Sequence, residues 1–228
     1  IDVYELIDGD GDGHCWVINN NGGFPLLQCN TASGIQSDDW ILSPNMNFEA
    51  GNIYRVTVHA RNMFAGQPDM LAVGYCPEEN ATKEGITVAS TLTINTPSMT
   101  MLDHCVDFSV PVSGKYKIAL GMVSPKGTGN GVFISPLAVD VVGSLDAPAA
   151  VAGLTVLPDP TRERKATLRC KAPTVSMAEA PLSGKLEAFF YRDGMKEPVG
   201  SLKDVAPGAD IEWTDAAVPE PGDHTWSV

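Results

Sequence analysis

Cationic residues are scarce in this sequence: 15 Lys and Arg stand against 28 Asp and Glu in 228 residues, a net charge of −13. So acidic a chain excludes nucleic acid and anionic membrane surfaces as partners, because both demand a basic patch to neutralise phosphate. No apolar run approaches the roughly 18 residues that a membrane-spanning helix needs. No secretory leader is visible, so an exported form would be a processed one. Long stretches of strong helix formers are missing as well. In their place 22 Gly and 17 Pro punctuate short β-branched and aromatic runs, the pattern of many strands joined by turns.

Catalytic signatures are equally thin. There is no G-x-S-x-G elbow, H-E-x-x-H or C-x-x-C. Lys126-Gly127-Thr128-Gly129-Asn130-Gly131 is glycine-rich but lacks the Gly-Lys-Ser/Thr ending of a phosphate loop. His14-Cys15 and His104-Cys105 invite a zinc reading, yet neighbours on a strand point to opposite faces and cannot share one ion. The chain therefore reads as a non-enzyme. Five cysteines leave at least one thiol unpaired. Cys15 with Cys29, and Cys76 with Cys105, are the pairs to consider against free buried thiols, and Cys170 reads as a small core residue.

What is present is an unusual N-terminal stretch, Asp8-Gly9-Asp10-Gly11-Asp12-Gly13-His14-Cys15-Trp16. Alternation with glycine lets three carboxylates converge, and a hard cation with oxygen ligands would neutralise them. Asp8, Asp10, Asp12 and Gly13 match positions one, three, five and six of an EF-hand loop, but position twelve is Asn19 and the exit reads as a strand. A further carboxylate must come from elsewhere in the fold. The reading is a structural calcium loop, and its alternative a solvated acidic turn.

The rest of the chain reads as strands. Expected segments are 14–18, 24–29, 37–44, 53–60, 70–76, 86–94, 106–112, 114–123 and 131–142. From 53 to 60, Tyr54, Val56, Val58 and Ala60 fall on one face. This first series argues a jelly-roll β-sandwich over 1–144. A linker-like Gly-Ser-Leu-Asp-Ala-Pro composition follows, then a second series over 145–228, with expected strands at 153–157, 165–172, 185–191, 199–202, 209–214 and 224–228. Their spacing fits an immunoglobulin-like sandwich. That sandwich needs about seven strands, so further chain beyond Val228 is expected. Trp16 and Trp40, in apolar runs, read as core, whereas Asn62-Met63-Phe64 and Gln67 read as a loop suited to a ligand surface. Tyr54, Tyr75 and Phe133 stay open between core and sugar platform.

Asp8–Trp16, Asp38-Asp39-Trp40-Ile41-Leu42-Ser43-Pro44, Ala50–Val58, Gly114–Gly121 and Ala138-Val139-Asp140-Val141-Val142 together resemble the bacterial cleaved-adhesin (choice-of-anchor) family. Residues 147–156, 188–194 and 222–228 are similar to a fibronectin type III module. The first resemblance implies a secreted or cell-surface jelly roll with calcium held at the acidic loop and closed by a carboxylate of the last strand, here Asp140, with Val141 where a second acid is frequent. The expected metal set is thus Asp8, Asp10, Asp12 and Asp140. The expected function is non-catalytic adhesion to a glycan or an extracellular host protein, beside further domains of the same chain. The alternative is an accessory region of a larger secreted hydrolase or peptidase.

Overall fold

The computed structural model describes residues 4–20, 25–31, 34–97, 100–135, 137–161, 163–219 and 222–228. The chain divides into two compact units, Ile1–Gly143 and Ser144–Val228. Unit 1 is a sandwich of two six-stranded antiparallel sheets. Sheet I has the order β1 (Glu5–Asp8), β4 (Asp39–Leu42), β10 (Gly114–Met122), β7 (Asp69–Pro77), β8 (Thr87–Ile94), with β5 (Met46–Phe48) on the end of β10. Sheet II runs β12 (Ala138–Ser144), β6 (Asn52–Asn62), β11 (Val132–Ile134), β3 (Leu26–Cys29), β2 (Val17–Asn19), with β9 (Leu102–Phe108) also on β6. The all-β jelly-roll reading of this unit is what the structure has.

The alternation read in 53–60 decides how sheet II faces its partner. Tyr54, Val56, Val58 and Ala60 are buried against Leu71, Val73, Ile118 and Leu120 of sheet I. At one end of this core Phe48, Tyr54, Tyr75, Phe108 and Tyr116 form a ring cluster with centroid separations of 4.5–5.9 Å. Trp16 and Trp40 are buried as expected, and so are Tyr54 and Tyr75. Phe133 is half-buried on the outer face of sheet II, its ring beneath the Arg61 guanidinium at 4.3 Å.

Two strands escaped the sequence reading. Residues 5–8 pair with β4 from Glu5↔Leu42 to Asp8↔Asp39, and residues 46–48 pair with β10. The stretch 131–142 holds two strands, Val132–Ile134 and Ala138–Ser144. All five thiols are unpaired. Cys76 is buried in sheet I and Cys105 exposed on sheet II, so that pairing is excluded by topology.

The two outer faces of the sandwich differ. On sheet I, Trp40, Leu42, Ala72, Cys76 and Ala119 form a second, small core, packed by Ala81 and Ile86. These two belong to the β7–β8 connection, which holds two 3-10 turns, Glu78–Asn80 and Lys83–Gly85. Sheet II carries polar cross-strand pairs instead. Arg55 holds Asp107 through two hydrogen bonds of 2.7 and 2.8 Å, and His59 meets Asp103 at 2.7 Å.

Loops are tied from beneath by buried polar side chains. Asn62, read from sequence as a ligand-surface residue, is only 3% exposed. Its Oδ1 accepts from the Thr96 backbone (3.0 Å) and hydroxyl (2.8 Å), while its amide donates to the carbonyls of Phe64 and Gln67. Asn62 therefore scaffolds its loop, while Phe64 and Gln67 stay exposed. Asp69, fully buried, accepts from the backbone of Asn130 and Gly131 and from the Ser124 hydroxyl.

Unit 2 is a smaller sandwich of two three-stranded sheets. One holds β13 (Ala152–Pro158), β14 (Ala166–Lys171) and β17 (Asp210–Asp215), the other β16 (Gly200–Val205), β15 (Leu186–Arg192) and β18 (Trp226–Ser227). Phe190 stacks on Trp213 at 4.4 Å between them. Asp215 is 3% exposed and accepts from Arg192 (2.6 Å), the Trp226 indole (3.1 Å) and the Ala217 backbone (3.1 Å). One carboxylate thereby joins both sheets. Removing one partner of such a pair strands a buried charge, at a cost of about 3–5 kcal/mol. Asp215→Ala is expected to destabilise unit 2 by that amount, read as lost hydrogen-exchange protection in β14, β15 and β17, while protection in unit 1 is retained.

Candidate metal centre

The antiparallel ladder between β1 and β4 sets Asp8 directly opposite Asp39. Like charges in that position repel and weaken a sheet unless something neutralises them. The loop that follows β1 brings in a third acid. One carboxylate oxygen from each of Asp8, Asp10 and Asp39 lies within 4.8 Å of the other two, and no other such group occurs among the described residues.

Backbone geometry explains how the loop folds onto itself. Gly11 and Gly13 have φ of +73° and +80°, which side chains resist. Their N–H groups donate to the two oxygens of Asp8 at 2.7 and 3.0 Å. Asp10 accepts from Asp12 N–H at 3.1 Å and reaches across to Asp38 N–H at 3.2 Å. Gly9 N–H donates to the Asp38 carbonyl at 2.9 Å, and a Cβ at Gly9 would lie 2.4 Å from that oxygen. The glycine is thus required by close backbone approach.

Asp39 is the residue under most stress. It is 2% exposed, on the core side of β4, with Trp16 donating its indole N–H to the Asp39 carbonyl at 2.9 Å. Its Oδ2 accepts from the Cys29 thiol at 3.8 Å, and its Oδ1 is buried with no hydrogen-bond partner. Burial first, then repulsion from Asp10, Asp12 and Asp8, pushes its carboxyl up to about 7. The same two causes raise Asp10, and burial raises the Cys29 thiol. A buried carboxylate with one unpartnered oxygen, gathered with two more carboxylates, fits a hard cation with oxygen ligands.

Of the four residues expected from sequence, the structure brings Asp8 and Asp10 together. Asp12 lies beside them, its Oδ1 accepting the His14 N–H at 2.7 Å, and is not one of the three. Asp140 stands exposed on β12, in the other sheet. Asp39, the third of these acids, was not among the residues expected from sequence. Its signal was an acid immediately before the buried run Trp40-Ile41-Leu42, where a solvated strand end and a ligand look alike.

No protein-family model matches the sequence, and no curated protein matches it. Among solved structures, the chain is similar to a cleaved adhesin domain of Lys-gingipain from Porphyromonas gingivalis, at 19% identity and a TM-score of 0.47, over 61% of this chain and 91% of that one. It is also similar to the CBM22-1 xylan-binding domain of Paenibacillus barcinonensis Xyn10C, at 7% identity and a TM-score of 0.40, over 62% and 86%. A third likeness is to TmCBM61 in complex with β-1,4-galactotriose, at 12% identity and a TM-score of 0.40, over 61% and 88%. Likenesses of this degree assign neither family nor ligand.

The pH behaviour of the ion-free chain follows from Asp39. A carboxyl held at about 7 in the fold and 3.8 otherwise binds its proton more tightly when folded. Its contribution to stability is complete below about pH 4 and is lost as pH rises towards 7. In chelator, the melting temperature of unit 1 is expected to fall across that window, and Asp39→Asn to flatten the fall. A flat wild-type profile would show that Asp39 is not held above its ordinary range.

Proposed function

We propose that the chain is a non-catalytic, exported binding region whose first sandwich recognises a glycan on the outer face of sheet II, with calcium as a structural ion and unit 2 as a spacer of the fibronectin type III kind. The observation that carries this reading is the difference between the two outer faces. On sheet I an apolar cover packs over Trp40, Leu42, Ala72, Cys76 and Ala119. Sheet II presents hydrogen-bonding side chains in open rows. Where β11 meets β3, Phe133 lies opposite Gln28, and the Gln28 amide donates to Asn30 at 2.7 Å. Arg61, over the Phe133 ring, completes an aromatic surface edged by amides and a guanidinium. Hydroxyl groups of a sugar need such donors and acceptors, and its C–H face needs a ring.

The calcium part rests on the buried Asp39 oxygen. Asp8, Asp10 and Asp39 would hold the ion, with backbone oxygens and water filling a shell of six to eight. Bound there, the ion supplies charge neutralisation: it turns a repulsive Asp8–Asp39 pair into a bridge from β1 and its loop to β4. It takes no part in chemistry. In an extracellular setting, free calcium near a millimolar suffices for sites of about 10⁻⁴–10⁻³ M.

Two measurements test the proposal separately. A glycan array followed by calorimetry on the best ligand is expected to show at least about tenfold weaker binding by Phe133→Ala and by Gln28→Ala; as outward-facing changes, both are expected to shift stability by no more than about 0.5 kcal/mol. Binding that both variants retain in full would place the ligand surface elsewhere. For the ion, calcium is expected to raise the melting temperature of the wild type and to leave Asp39→Asn and Asp10→Ala nearly unmoved. Equal shifts in all three proteins would remove these residues from the site.

A further inference from the structure

Five carboxylates crowd the acidic centre: Asp8, Asp10, Asp12, Asp38 and Asp39. Among the described residues, the Lys or Arg paired with any of them is Lys83, whose ammonium contacts Asp38 Oδ2. Asp38 is not one of the three converging acids. It is nonetheless fixed to them, since its N–H donates to Asp10 at 3.2 Å and its carbonyl accepts from Gly9 at 2.9 Å. Its other carboxylate oxygen accepts from the Trp40 indole at 2.8 Å. Lys83 opens the second 3-10 turn of the cover over sheet I, whose Ala81 and Ile86 pack the small core around Trp40. The cover therefore delivers a positive charge to the edge of the acidic loop.

We infer that Lys83 is the resident counter-charge of this centre and sets how tightly a divalent cation binds there. The inference rests on the reading that the loop holds a cation. The ammonium lowers affinity in two ways: it repels the incoming ion and it cancels the negative charge of Asp38. It also limits repulsion among the carboxylates in the ion-free chain. Lys83 is 43% and Asp38 22% exposed in their side chains, so water screens the effect and it remains moderate.

The test is calcium titration by calorimetry on the whole chain, for the wild type, Lys83→Met, Lys83→Arg, Asp38→Asn and the double variant Asp38→Asn with Lys83→Met. Lys83→Met is expected to bind calcium about fivefold tighter at low salt, with the gain shrinking as salt rises. Asp38→Asn is expected to bind about fivefold weaker, the double variant near the wild type, and Lys83→Arg unchanged. Melting in chelator reports separately on the cover, and Lys83→Met is expected to be less stable there. A lysine that only anchors the cover would give that instability with unchanged or weaker calcium affinity, which overturns the inference while leaving the ion site standing. No calcium binding by the wild type overturns both.

Discussion

The electrostatic conflict between Asp8 and Asp39 is the constraint on which the N-terminal half of unit 1 depends. Strand β1 has only four residues and offers little apolar surface of its own, since Glu5 and Leu6 are exposed. What it gains by pairing with β4 is partly cancelled by placing one carboxylate against another. Every feature around that pair acts on the charge. Glycine N–H groups point at Asp8, the Asp38 N–H points at Asp10, and Lys83 lies against Asp38. Asp39 alone receives little: a thiol on one oxygen and nothing on the other. The folded chain thus concentrates its unrelieved negative charge at one point, and that charge falls when the raised Asp39 carboxyl takes up a proton.

That point is mechanically consequential because Asp39 sits where sheets meet. Its carbonyl receives the indole of Trp16, just past the acidic loop, and its carboxylate the thiol of Cys29, in β3 of sheet II. Asp39 therefore ties together one end of the sandwich, far from the aromatic cluster that fills the other. Seven residues of β10 span the two ends, from Tyr116 in the ring cluster to Met122 opposite Asp39. At about 3.3 Å per residue this is a distance over which only the rigid strands connect them.

Much of the fold was legible because period-two alternation is a physical signal: the face of β6 that carries Tyr54, Val56, Val58 and Ala60 has no alternative but burial. The way the acidic loop folds back was legible for a similar reason, because the interleaved glycines allow the positive φ it needs. Asp39 was not, since its role comes from register. Nothing in the local sequence says that Asp8 will fall opposite it, and β1 is too short to announce itself. Asn62 misled in the opposite sense. A polar residue after an apolar strand reads as surface, yet its amide matched the loop's own backbone groups and was drawn inside. Phe133 stayed open in the sequence because a half-buried ring on a sheet's outer face and a core ring share the same alternation.

Asn62 and Asp69 have a meaning beyond their hydrogen bonds. Each grips a loop through backbone atoms, asking nothing of most side chains along it. The path of the chain is stored in the framework, and the residues that face outward are free to change without losing it. A scaffold of this kind separates inheritance of shape from inheritance of specificity. Relatives that keep the two buried anchors would present differently lettered loops on one unchanged frame, and a designer grafting new loops would begin by keeping the same two residues.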